Sequence, residues 1–286
     1  MTMKLKLNKI SDMKTMKLLK NAVAMLLLST PMLASAEMTV VVTTAEEFVS
    51  ALGSNRTIII DSSVPLIITP VVDLLVEEGS IEKYKYYSHD NNAGLGYYDN
   101  FDGNGLSITG FRNLTIKSKE GRAKLLSTPR YADVLTFERC ENIVLKDLIF
   151  GHTEEGYCEC GVLGFTMCDQ VRINNCDLFG CGTEGLALYS CGHFYMDDCC
   201  IHDCSYHTMH IFGSFNVVFS NCWFYDNREF DQINVFGSEA VRFEDCQFRN
   251  LKGNLFNLEC PIVLVRGNIS PDCQVNWGDP NIRVDE

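Results

Sequence analysis

The chain has 286 residues, with 24 Lys and Arg against 37 Asp and Glu, for a formal net charge of −13. A surface this acidic repels phosphate backbones and anionic headgroups, so nucleic acid and charged membranes are excluded as partners. Hydrophobic residues make up 46% of the chain, enough for a continuous core, and fourteen cysteines ask for a physical account.

In chain order, Lys17 and Lys20 precede an apolar run, Ala22 to Leu33, that ends in Ala34-Ser35-Ala36. A basic start, a short apolar stretch and small residues at a cleavage site make residues 1–36 a signal peptide. The run is too short to span a bilayer comfortably, so no membrane insertion is expected. No cysteine follows the cleavage site to carry a lipid, and Met16 would start a signal of more usual length. The mature domain is then 37–286, secreted or periplasmic, and a monomer. It is more acidic still, because the removed segment holds six lysines and one aspartate.

Thr39 to Thr43 is strand-like, Thr44 opens a short amphipathic helix over 45–52, and Thr57 to Ile60 begins the first buried strand. Residues 83–103 form an insertion rich in tyrosine, with Tyr97 and Tyr98 near its end. Leu106/Ile108, Leu114/Ile116, Leu135/Phe137 and Ile143/Leu145 alternate inward as short strands do. His152 to Cys160 is a second insertion. From Cys168 to Phe248 the sequence repeats itself every 23 or 24 positions. Cys176, Cys199, Cys222 and Cys246 form one column, and Leu186, Met209, Ile233 and Phe256 another. Pro261 to Val265 adds a strand, and the last twenty residues wrap the end.

A constant period in the twenties means a solenoid. Each repeat holds three alternating apolar pairs separated by Asn, Asp, Gly and Ser, with no room for a helix. That makes each repeat one turn of a parallel β-helix; the leucine-rich pattern of the same period is missing. The 45–52 helix is its cap, since an open end would expose core and unpaired strand edges. The cysteines read as a buried ladder of small apolar side chains with a few disulfides. Cys158-x-Cys160 and Cys199-Cys200 would suit zinc in the cytosol, which the export signal disfavours.

In a solenoid, equivalent positions line up along the axis. Two residues before the third strand's first inward residue, the row reads Asn104, Asp133, Gly161, Glu184, His207, Asp231 and Asn254. The outward position of that strand gives Ser107, Thr136, Gly164, Ala187, His210, Asn234 and Asn257. Both rows belong to one strip, into which both insertions feed. The strip is polar, and small in its first half. Glu184, His207 and Asp231 lie on consecutive coils, with the two carboxylates about twice 4.8 Å apart by strand spacing. That separation suits inverting glycoside hydrolysis, one carboxyl as acid and one as base. The imidazole between them would tune, bind or act as base. Asp133, His210, Asn234, Asn254, Asn257, Tyr97 and Tyr98 are the expected substrate contacts. No Lys or Arg stands in the row as a lyase base, although Arg228 and Lys252 sit on entering turns. No metal is expected at His207 and His210, since residues three apart in a strand face opposite sides and only a bend before Met209 would bring the two together. No cofactor is needed, and a calcium ion on the turn row Asn175, Asp198, Asn221 and Asp245 is the one option.

These repeats and the helical cap resemble the pectin-lyase-like right-handed parallel β-helix superfamily over residues 39–265. Gly182-Thr183-Glu184-Gly185-Leu186-Ala187-Leu188 is similar to the Asn-Thr-Asp-Gly-Ile-Asp-Ile segment of polygalacturonases. The resemblance implies an all-β solenoid, a single-stranded right-handed parallel β-helix with a short N-terminal capping helix. It also implies that the row of Glu184, His207 and Asp231 occupies the hydrolase catalytic row. The chain departs from that pattern where Glu184 replaces Asp, Tyr206-His207 replaces an Asp pair, and Phe230-Asp231-Gln232 replaces Gly-His-Gly. Two functions remain open: a polysaccharide hydrolase or lyase, and a non-catalytic glycan-binding or envelope protein.

Overall fold

A computed structural model describes residues 37–85, 92–154, 161–180 and 183–285. The signal segment, Tyr86, Tyr87, Glu155, Glu159, Cys158, Cys160, Cys181 and Gly182 lie outside the described residues. From Met38 onward the chain winds into three sheets of ten, eight and nine strands. One coil shows the plan. Leu163–Thr166 lies on the third sheet, Asp169–Asn174 on the first and Asp177–Phe179 on the second, before Glu184–Tyr189 re-enters the third. Pairing from coil to coil is parallel and in register, Val171 to Phe194 to Val217 to Val241. The offsets are the 23 or 24 positions of the repeat, so the solenoid reading holds strand by strand.

The corners explain the polar spacing of the sequence. In the regular coils each strand is followed by a residue in the left-handed region, such as Met167, Asn175 and Gly180 in one coil and Ser190, Asp198 and Asp203 in the next. Asn175, Asp198, Asn221 and Asp245 all have φ between 49° and 53°, a conformation that Asn and Asp tolerate best after glycine. Their side chains tie neighbouring coils. Asn175 donates to Asp147 at 2.7 Å and Asn221 to Asp197 at 2.9 Å. This row is therefore backbone architecture. Among the described residues no group of three or more His, Cys, Asp or Glu side chains converges as a metal site.

Just inside these corners run the cysteines. All eleven described are free thiols. The Cys199 and Cys222 Sγ atoms each lie 3.1 Å from the carbonyl oxygen two residues back. At the other corner the column reads Cys140, Cys168, Cys191, Ser214, Ser238 and Cys260. There the Cys191 N–H donates to Ser214 Oγ at 3.0 Å and Ser214 N–H to Ser238 Oγ at 3.0 Å. Serine standing in for cysteine shows what the corner requires, a small side chain that reaches backbone. Between the columns stack phenylalanines, Phe137 on Phe165 at 5.0 Å and Phe219 on Phe243 at 4.9 Å.

Two helices close the N-terminal end. In α1 (Ala45–Ala51), Thr44 accepts from the Glu47 N–H, and Phe48, Val49 and Ala51 face the core. The second, α2 (Thr69–Glu77), buries Val71 and Val72 and escaped the sequence reading, although Pro70 stands in its first turn as proline commonly does. At the other end Ile282–Asp285 pairs with Ile262–Val265. No described helix is long and apolar enough to cross a membrane.

On the outside of the second sheet His202 is clamped between carboxylates, Nδ1 2.7 Å from Asp203 and Nε2 2.9 Å from Asp177. Tyr225 stacks on its ring at 4.6 Å. Burial works against the imidazolium, but the two acids outweigh it and hold the pKa above the ordinary histidine value. A raised folded pKa gives stability that is fully present below the unfolded value and disappears as pH rises through the folded one. Denaturant unfolding against pH is expected to show His202→Asn losing most relative to the native chain in mildly acidic buffer, with the gap narrowing toward alkaline pH. In the core, Phe219→Ala is expected to cost about 3–5 kcal/mol in the same assay, since Phe243 stacks on its ring and Phe194 and Phe224 pack around it.

Candidate functional site

The third sheet carries the predicted strip, and its register aligns the rows. Ser107 pairs with Thr136, Thr136 with Gly164, Gly164 with Ala187 and Ala187 with His210. His210 pairs in turn with Asn234, and Asn234 with Asn257. Glu184 pairs with His207, and Asp231 follows one coil on, two residues before Ile233, the partner of Met209. The three expected residues thus share one row. Their side chains, however, divide between two cavities.

In the first cavity, of about 240 Å³, Glu184 meets Asp133, Thr136, Glu138 and Tyr84, Tyr98 and Tyr189. Asp133 and Glu184 sit on coils separated by one, and the coil between has Gly161 and Gly164 where side chains would stand. A Cβ on Gly161 would lie 3.4 Å from Asp133 Oδ1 and 3.4 Å from Glu184 Cγ; one on Gly164 would lie 2.5 Å from Asp133 Oδ2. The carboxyl groups lean into space that two glycines vacate. Asp133 accepts from Thr136 Oγ1 at 2.8 Å and from the Gly161 N–H at 2.6 Å. Burial nevertheless pushes its pKa up. Burial, and then the charge of Asp133, push Glu184 up to about 7. Here is an acid that holds its proton near neutrality, beside a second carboxyl.

The second cavity, of about 580 Å³, is lined by His207, Phe230, Asp231, Asn234, Asn254 and Asn257, with Glu229, Gly253 and Gln274. His207 Nδ1 lies 2.5 Å from the Asp231 carbonyl oxygen and 3.2 Å from Asn234 Nδ2; a carbonyl only accepts, so Nδ1 donates to it. Asp231 Oδ1 accepts from the Asn254 side chain at 2.9 Å. Asn257 donates to Asn234 at 2.8 Å, which orients both amides.

The structure places the other expected residues as follows. Asp133, expected as a substrate contact, lies beside Glu184 in the first cavity. Asp231, expected as the second catalytic carboxylate, lines the second cavity and accepts from Asn254. His210 lines neither cavity; its ring stacks on Tyr189 at 5.6 Å, and burial lowers its pKa. Tyr97 packs on the core because its strand, Gly94–Asn100, runs antiparallel to Gly103–Thr109 with Tyr97 opposite inward-facing Leu106. The insertion is thus partly a strand extending the sheet, and its Tyr84 and Tyr98 pack edge-on at 5.0 Å as one wall. Tyr84 belongs to the tyrosine-rich insertion expected over this strip, whereas Glu138 and Tyr189 are additions that the sequence did not single out. Their signal was the pair of glycines, because a bare position in a polar row marks where neighbours converge.

A family model described as a right handed beta helix region matches residues 160–278. No curated protein matches the chain by sequence. Among solved structures it is similar to the pectin methylesterase of Aspergillus niger, at 12% identity over 90% of this chain and 82% of that one, with a TM-score of 0.51. It is also similar to a pectate lyase from Paenibacillus sp. 0602, at 10% identity over 84% of this chain and 79% of that one (TM-score 0.46). An alginate lyase from Paenibacillus sp. str. FPU-7 matches at 8% identity over 87% of this chain and all of that one (TM-score 0.44). At 12% identity the likeness to the methylesterase is one of fold alone.

Gly164→Ala tests the convergence. Its methyl group would displace the Asp133 carboxyl from its two donors, and with them go the bonds that favour ionisation. Asp133 is expected to titrate higher still in carboxyl ¹³C NMR, and the fold to lose about 1–3 kcal/mol in urea unfolding, the usual cost of overpacking. An unchanged Asp133 midpoint would mean that the glycine is not what admits it.

Proposed function

We propose that this right-handed parallel β-helix, of pectin-lyase-like architecture, is an exported polysaccharide hydrolase whose acid is Glu184. The observation that carries the reading is the carboxyl of Glu184 held at about 7 by burial and Asp133, in a cavity walled by Tyr84, Tyr98 and Tyr189. An acid poised near the working pH is what proton donation to a glycosidic oxygen needs. Asp231, two coils on at about 9.6 Å of strand spacing, stands where the base of an inverting reaction would take a proton from water. His207 lies between them in the row and orients that water. The Asn234, Asn254 and Asn257 amides and the exposed Phe230 ring bind the sugars beyond the cleavage point; Tyr84, Tyr98 and Tyr189 bind those before it. The N-terminal signal pattern supports action outside the cytoplasm.

The linings also bear on the polymer's charge. No Lys or Arg lines either cavity among the described residues, whereas Asp133, Glu138, Glu184, Glu229 and Asp231 do. A polyuronate would bring a further negative charge with every sugar. The substrate is therefore an uncharged polysaccharide, since a uronate would find no counter-charge in either lining.

A panel of neutral and uronic-acid polysaccharides, followed by reducing ends and by absorbance of unsaturated products, tests this. The expected result is reducing ends from a neutral polymer only, with activity falling as pH rises through about 7, because the acid form of Glu184 is lost. Glu184→Gln and Asp231→Asn should each lower kcat by roughly 10²–10⁴-fold. Cleavage that survives both variants overturns the assignment. Binding without any product leaves a glycan-binding protein instead.

A further inference from the structure

We infer that His152 is a positioning residue for the two facing carboxyl groups, its buried imidazole tying the turn that delivers Asp133 to the turn that delivers Glu184. His152 ends the strand Leu148–His152 on the second sheet, on the coil between those of Asp133 and Glu184. Its side chain is buried. Nε2 lies 2.9 Å from the carbonyl oxygen of Ala132, the residue before Asp133. Nδ1 lies 3.2 Å from the carbonyl oxygen of Gly180, at the end of the strand that leads to Glu184. One ring thus spans the two turns on the same coil whose Gly161 leaves the gap between the carboxyls. A side chain kept only to fill space there would need no nitrogen at either end.

Proton accounting gives the tie two strengths. A neutral imidazole has one N–H and donates to one carbonyl; only the imidazolium donates to both. Burial lowers the pKa of His152, while the two carbonyls, Asp133 and Asp102 oppose it. Those two carboxylates are the charged groups that face the ring. Asp102 accepts from the Arg130 and Tyr131 N–H groups and Asp133 from Thr136 Oγ1 and the Gly161 N–H; of the two, Asp133 directly follows the residue whose carbonyl the ring holds. At neutral pH the ring holds one turn firmly, and acidification adds the second bond. The pair is thereby drawn together in the pH direction in which Glu184 gains its proton.

The inference builds on the reading of Glu184 as an acid, but its test is made on the ligand-free full chain, so either can fail alone. Glu184 is followed by carboxyl ¹³C NMR in the native protein and in His152→Phe, which keeps the volume, and His152→Gln, which keeps one N–H donor. With the tie gone the carboxyls separate and gain water. The Glu184 midpoint is then expected to fall by about one unit toward the ordinary glutamate value in His152→Phe, and to recover largely in His152→Gln. An unchanged midpoint in His152→Phe overturns the inference. Should that variant not fold, the native chain decides. The Gly180 carbonyl ¹³C signal is expected to move with the His152 ring ¹⁵N titration, and a Gly180 signal indifferent to it overturns the inference equally.

Discussion

Everything in this molecule depends on the in-register hydrogen bonding of each coil to the next. A parallel ladder fixes the rise at about 4.8 Å, so a residue's place along the axis is set by its coil and its direction by its position in the repeat. The left-handed corners keep that count. Asn175, Asp198, Asn221 and Asp245 turn the chain at one point in successive coils, and a β-branched residue there would meet its own backbone. Once the corners hold, the inward positions have only to stack. They do so with phenylalanine on phenylalanine and cysteine over cysteine, each column buried by the coils above and below.

The same ladder turns an absence into a site. Outward side chains two coils apart are too far apart to interact unless the intervening coil gives way, and Gly161 and Gly164 give way. Asp133 and Glu184 then share one low-dielectric space, where each raises the other's cost of ionising. Farther along the strip the intervening positions carry His210, Asn234 and Asn257, and the side chains bond to their neighbours instead. One strip thus has two chemistries, a carboxyl pair where it is bare and an amide ladder where it is filled.

Much of this was legible in the sequence because a solenoid's geometry is written in its period. The columns through Cys176 and Leu186, the rows through Glu184 and Ser107, and the cap opened by Thr44 all follow from counting. What counting misses is where a side chain turns after leaving the backbone. Asp231 has Asn254 on the next coil and bonds it; Asp133 has Gly161 on the next coil, with no side chain to stand in the way, and leans toward Glu184. Tyr97 and Tyr98 were equivalent as part of a loop, but an antiparallel strand sends one to the core and the other to the cavity. The α2 helix was missed for a related reason. It interrupts the repeat, and a reading tuned to alternating pairs has no place for Val71 and Val72.

The carboxyl pair is also a burden that the fold would be better without. A glutamate raised from 4.5 to about 7 favours its protonated form in the native state, so above the unfolded value it works against folding, by roughly 3 kcal/mol once fully ionised. The cost grows as pH rises from 4.5 and levels off above 7. Nothing in the ladder demands it, for the same row holds Asn254, and the parallel row Asn234 and Asn257, where an uncharged amide satisfies its neighbours. A chain that had only to wind would place such a residue at Glu184 too. Titratable groups held against their preference in a cavity are a mark of chemistry more often than of architecture. Here the glycines that admit the pair and the buried histidine behind it belong to one coil, so a single turn of the solenoid both opens the space and holds its two sides.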